Sequence, residues 1–175
     1  MTKDDLERKI TAVFSADVAG YSRLMCRDED TTVITLSAYR EIMSVLIEGH
    51  RGRVVDAVGD NLLAEFGCAV DAVACAVDVQ KKLQDRNASL PVEKRMRFRI
   101  GINYGEVIKE GERLYGTGVN IAARLESLAD PGGVCISRSV FGRVRRLLPL
   151  QFEPMGQYSV KNICKQVEVY RIIQS

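Results

Sequence analysis

The stretch "GRVVDAVGDNLLAEFG", residues 52–67, decides how the chain is read. Two short apolar runs, Val54 to Val58 and Leu62 to Phe66, flank Gly59-Asp60-Asn61. Runs of that length around a Gly-Asp-Asn centre predict a β-hairpin with a tight turn. The turn accounts for Asp60, because Asp and Asn favour such positions. It leaves Asp56, a carboxylate among valines that must find a partner or stay protonated.

Outward from the hairpin, strands and helices interleave. Residues 10–18, "ITAVFSADV", form a β-rich run that ends at Asp17. Residues 28–49 carry Val33, Leu36, Tyr39, Ile42, Met43, Leu46 and Ile47 at helical spacing, with Gly49 as a stop. "CAVDAVACAVDVQKKLQ" predicts a long helix packed on most of its circumference, and "NASLPVEK" a loop. "RMRFRIGINYGEVI" alternates Arg95, Arg97 and Arg99 with Met96, Phe98 and Ile100, the pattern of a half-exposed strand with the arginines solvated, an anion site being the alternative. "KEGERLYGTG" reads as a connection, "VNIAARLESLA" as a helix ended by Asp130-Pro131-Gly132-Gly133, "VCIS" as a strand and "RSVFGRVRRLL" as a helix. The tail reads as short strands and turns. These alternations predict an α+β sandwich with helices covering a sheet.

Composition narrows the function. The chain of 175 residues, 46% hydrophobic and 27% charged, suits one globular domain. A net charge of +2 gives no reason to expect nucleic acid or a membrane surface as partner. The N-terminus "MTKDDLERK" lacks a secretory core, and no apolar run spans a bilayer. The five scattered cysteines read as reduced, mostly core residues of a cytoplasmic protein, and the single histidine, His50, as structural.

Two residue sets suggest chemistry. Asp17 is followed by "VAGYS" and a helix start, a turn whose backbone N–H groups can face an anion; a carboxylate beside it suits magnesium held together with phosphate. Asp60 is the natural second carboxylate, although an N-cap role for Asp17 also fits. Asn120 and Arg124, four apart, share a helix face and could hold a ribose or a phosphate; taken alone, the helix reads first as a solvated face with an Arg124–Glu126 or similar surface contact.

Taken together, "FSADVAGYS", "VGDNLLAEF", "RIGINYGEV", "YGTGVNIAARLE" and "SVKN" resemble the catalytic domain of class III nucleotidyl cyclases, in its bacterial branch. The resemblance implies a ferredoxin-like domain with a central, mostly antiparallel sheet, with residues 1–9 as an extension and 10–175 as the catalytic unit. It also implies a head-to-tail homodimer with active sites at the interface, further regulatory domains in the full-length protein, and ATP or GTP as substrate. By the same resemblance two divalent cations, Mg²⁺ or Mn²⁺, are held by Asp17, Asp60 and the Val18 carbonyl. The triphosphate is lined by Val18, Ala19, Gly20, Tyr21 and Ser22 and by Lys161. Asn120 and Arg124 stabilise the transition state as the ribose 3′-hydroxyl attacks the α-phosphate.

The resemblance departs at base recognition, where the matching positions hold Asp56 and Arg113. Adenylate cyclases of the family usually carry Lys at the first and Asp or Thr at the second. Asp with Arg complements the donors and acceptor of guanine better than those of adenine. Three readings follow: an adenylate cyclase that reads adenine by other groups, a guanylate cyclase, and a weakly catalytic nucleotide-binding module. An Asp56–Arg113 ion pair and a shifted alignment of "KEGERLYG" are the bland alternatives.

Overall fold

The computed structural model describes residues 2–174. The chain runs β1 (Glu7–Val18), α1 (Tyr21–Arg27), α2 (Glu29–Gly49), β2 (Gly52–Val58), β3 (Asn61–Phe66), α3 (Ala69–Ala88), β4 (Phe98–Glu110), β5 (Arg113–Tyr115), α4 (Thr117–Leu128), β6 (Val134–Ser137), α5 (Arg138–Val144), β7 (Gln151–Tyr158) and β8 (Val167–Ile173). One sheet holds the strands in the order β2-β3-β1-β4-β6-β8-β7, with β5 paired to β4. The pairs are antiparallel except β4 with β6. The β2-β3-β1-β4 half, with helices between β1 and β2 and between β3 and β4, is the ferredoxin-like arrangement. The expected α+β class is therefore what forms.

The hairpin is built as read. Val58 pairs with Asn61, so Gly59 and Asp60 are the two turn residues, and Gly59 takes φ 60°, which suits glycine at the first turn position. The hairpin's first strand, β2, is an edge strand, and its register shifts between Val54 and Asp56. Asp56 is consequently exposed and accepts from Ala57 N–H at 2.9 Å. The carboxylate among valines needs no buried partner, because bulge and edge together turn it to water.

Helix α2 starts where Asp28 caps Thr31 N–H at 3.1 Å, with Glu29 and Asp30 in the first turn. Its buried stripe is Thr32, Leu36, Tyr39, Met43 and Ile47; Val33, expected inside, is 49% exposed. Along β1, Ala12, Phe14, Ala16 and Val18 enter the main core with residues of α2, α3 and α5, while Val13 joins Ala122 of α4 in a second cluster. Two helical layers thus sandwich the sheet, and Asp17 alternates onto the α4 side.

The α4 layer sits directly on backbone. A Cβ at Gly101 would lie 2.2 Å from Glu126 N and 2.4 Å from Ala122 O. Gly101→Ala is expected to destabilise the fold by about 2–3 kcal/mol, because neither clashing group belongs to a flexible side chain. A urea midpoint unchanged from wild type would contradict this contact.

Two sequence expectations change. Of the five cysteines, all free, Cys75 and Cys135 are buried but Cys26, Cys68 and Cys164 are exposed, so most do not lie in the core. "KEGERLYGTG" is not only a connection, since it contains β5. His50 stands 2.8 Å from Asp78, away from the sites described below. No helix among the described residues is long and apolar enough to cross a membrane.

Candidate active site

Asp17 and Asp60 converge at one end of the sheet. Asp60 on the hairpin turn accepts from Val18 N–H at 3.1 Å, which ties the tip to the residue after Asp17. Arg40 of α2 clamps the same turn, donating from Nη2 to the Gly59 carbonyl and to the Asn61 carbonyl at 3.2 Å. Its contacts hold the backbone on both sides of Asp60. Nothing local in sequence singles out Arg40, which lies on another element.

Asp17 is paired directly across the β1–β4 ladder with Arg99. The guanidinium is bidentate, Nε to Oδ1 at 2.9 Å and Nη2 to Oδ2 at 2.5 Å. The Asp17 carboxylate holds Arg99 above the ordinary guanidinium value. The expectation that the strand arginines are simply solvated fails for Arg99, because strand register sets it opposite a carboxylate.

Behind Asp17 lies Glu126, 6% exposed, accepting from Ser15 Oγ at 2.9 Å. Burial and then the Asp17 charge push its carboxyl up to about 8 from an ordinary 4.5. A raised folded-state value means stability is fully present below about pH 4.5 and lost as pH rises through about 8. In metal-free protein, Glu126→Gln is therefore expected to flatten the decline in stability across that window. Parallel denaturation curves for variant and wild type between pH 5 and 9 would contradict the assignment.

The backbone after Asp17 is partly committed. Val18 N–H goes to Asp60 and Ala19 N–H to the Arg97 carbonyl at 2.9 Å. Gly20 takes φ 68° and no side chain caps α1, so the first-turn N–H groups, those of Tyr21 and Ser22 among them, lack intrahelical partners.

Asn120, Arg124 and Lys161 come together elsewhere, lining one open cleft of about 290 Å³. Arg124 donates from Nε to the Ser159 carbonyl at 3.0 Å and from Nη1 to Ser127 Oγ at 3.3 Å. The Arg124–Glu126 surface contact does not form. Residues two apart leave a helix on different sides, and Glu126 turns inward to Ser15. Neither Asp17 nor Asp60 lines this cleft, because the buried side of α4 packs on β1 and β4 while Asn120 and Arg124 face out.

Asp56 and Arg113 are both exposed, on β2 and β5. A Tyr115 hydrogen bond, and more weakly the Asp56 charge, raise the Arg113 value. No Asp56–Arg113 ion pair within 4.0 Å occurs among the described residues, so neither neutralises the other.

The family described as the adenylate and guanylate cyclase catalytic domain matches residues 4–174. The chain is 40% identical over 171 residues to a protein of Rhizobium meliloti named putative adenylate cyclase 3, covering 97% of this chain and 29% of that one. It is 25% identical over 189 residues to adenylate cyclase 1 of the same organism, spanning 28% of its length. It superposes on the crystal structure of an adenylate/guanylate cyclase/hydrolase from Silicibacter pomeroyi with a TM-score of 0.92 at 36% identity, covering 97% of this chain and 99% of that one. It also superposes on the adenylyl cyclase CyaB from P. aeruginosa with a TM-score of 0.82 at 25% identity, covering 97% and 96%. A family match across nearly the whole length, carried on the same fold, means that the chain belongs to the adenylate and guanylate cyclase catalytic domains.

Proposed function

We propose that the chain converts ATP to 3′,5′-cyclic AMP and pyrophosphate at sites completed between two copies arranged head to tail. The observation that carries this reading is the convergence of Asp17 and Asp60 around Val18. Their hard oxygens suit Mg²⁺ or Mn²⁺, which take one or two carboxylates together with phosphate oxygens and water. A cation, the Arg99 guanidinium, already rests on Asp17. Such ions when bound supply charge neutralisation on the phosphates and acidify the ribose 3′-hydroxyl.

The chain's own residues do the rest. Arg99, once free of Asp17, offers a guanidinium fork to phosphate oxygens. The open N–H groups of Tyr21 and Ser22 face the triphosphate. Asn120 orients the ribose, while Arg124 and Lys161 meet the negative charge that develops on transfer. The outward-facing cleft of Asn120, Arg124 and Lys161 supports a second copy supplying that set.

The 40% identity to the protein named putative adenylate cyclase 3 favours ATP. The open Asp56 and Arg113 side chains favour GTP as a second reading, since their donors and acceptors complement guanine. Turnover of ATP and GTP in parallel, with Mg²⁺ and then Mn²⁺, separates the two. Cyclic AMP is expected. Cyclic GMP in its place would make Asp56 and Arg113 a guanine-reading pair, and no product from a confirmed dimer would overturn both readings.

A further inference from the structure

Beyond Ala19, a cleft of about 360 Å³ is lined by Arg23, Arg27, Arg95 and Arg97 against a single carboxylate, Glu93. Among the described residues, the guanidinium groups of Arg23, Arg27 and Arg97 make no ion pair, although other arginines of this chain are paired with carboxylates. Arg95 gives only its Nε, to the Leu90 carbonyl at 3.0 Å. Glu93 neutralises none of the four within 4.0 Å, so the positive charge stays concentrated on one concave surface. Like charges gathered there repel one another, and an anion with several oxygens relieves that repulsion while accepting from several forks.

The cleft continues into a second cavity of about 440 Å³ that shares Arg95, Arg97 and Pro131. This second part carries Leu83 and Ala88, and also Gln174, whose Nε2 is buried with no hydrogen-bond partner among the described residues. An orphaned donor at the far end of a cationic groove calls for an acceptor on whatever fills it.

We infer that this groove binds a small molecule bearing a diphosphate, with the diphosphate on Arg23, Arg27, Arg95 and Arg97. Two sources share that chemistry. One is free inorganic pyrophosphate, released beside Ala19 if the chain is a cyclase; for that source alone the inference rests on the proposed function. The other is a nucleoside diphosphate whose base reaches Gln174.

The test is calorimetric titration of the full chain with inorganic pyrophosphate and, separately, ADP, in EDTA at about 50 mM salt so that charge is little screened. One pyrophosphate per chain is expected, weakened about tenfold or more in the double variant Arg27→Gln/Arg97→Gln and weakened less in Arg27→Lys/Arg97→Lys, which keeps the charge but not the fork. ADP binding that falls in Gln174→Ala while pyrophosphate binding does not assigns the nucleoside diphosphate; binding of both unaffected by Gln174→Ala assigns free pyrophosphate. Absence of pyrophosphate binding at millimolar concentration, or binding equal in wild type and Arg27→Gln/Arg97→Gln, overturns the inference. The titration needs neither metal nor turnover, so a chain that makes no cyclic nucleotide would contradict the proposed function and leave this result standing.

Discussion

Asp60→Ala is expected to lower kcat by about 10³-fold or more, roughly 4 kcal/mol of transition-state stabilisation. The substitution removes one of two converging carboxylates and leaves Asp17 alone against Arg99. It also strips the acceptor from Val18 N–H, so a loss of turn geometry must be separated from a loss of charge. Asp60→Asn makes that separation, since its amide oxygen can still accept from Val18. The account expects Asp60→Asn to fold with a wild-type urea midpoint and to be nearly as inactive as Asp60→Ala. Substantial cyclase activity in either variant would remove Asp60 from the proposed metal site.

Asn120→Ala and Arg124→Ala are each expected to cost about 10²–10³ in kcat with KM for the nucleotide changed little, because donors aimed at developing charge act mainly in the transition state. Both side chains are exposed on α4, so the fold should tolerate their loss. Arg124 lines the cleft shared with Lys161 while its Nε rests on the Ser159 carbonyl and its Nη1 on Ser127 Oγ. Arg124→Lys is therefore expected to recover little, since an ammonium cannot hold the carbonyl and a phosphate in the same geometry. A purely KM effect would reassign both residues to ground-state binding.

The hairpin, α2 and the α4 face bearing Asn120 and Arg124 were legible in the residues because turn chemistry and helical period are local signals. The family resemblance singled out the two aspartates and Lys161, and the fold brings the aspartates together. What stayed hidden depends on register and packing. Arg99 looked solvated because alternation along a strand says nothing about the neighbouring strand, and Asp17 is opposite it only in the β1–β4 pairing. Glu126 lies on the side of α4 opposite Asn120 and Arg124, and its link to Ser15 spans 111 residues. Asp56 looked buried because the bulge that exposes it leaves no mark in a run of valines.

The claim that one chain holds half of each active site is the one to test first. Asp60→Ala and Arg124→Ala chains, each inactive alone, would be refolded together in equal amounts and assayed for cyclic nucleotide. Random pairing makes half of the dimers mixed, each with one intact site, so activity should return to about one quarter of wild type. A mixture no more active than the sum of its separate components would contradict an active site shared between two copies.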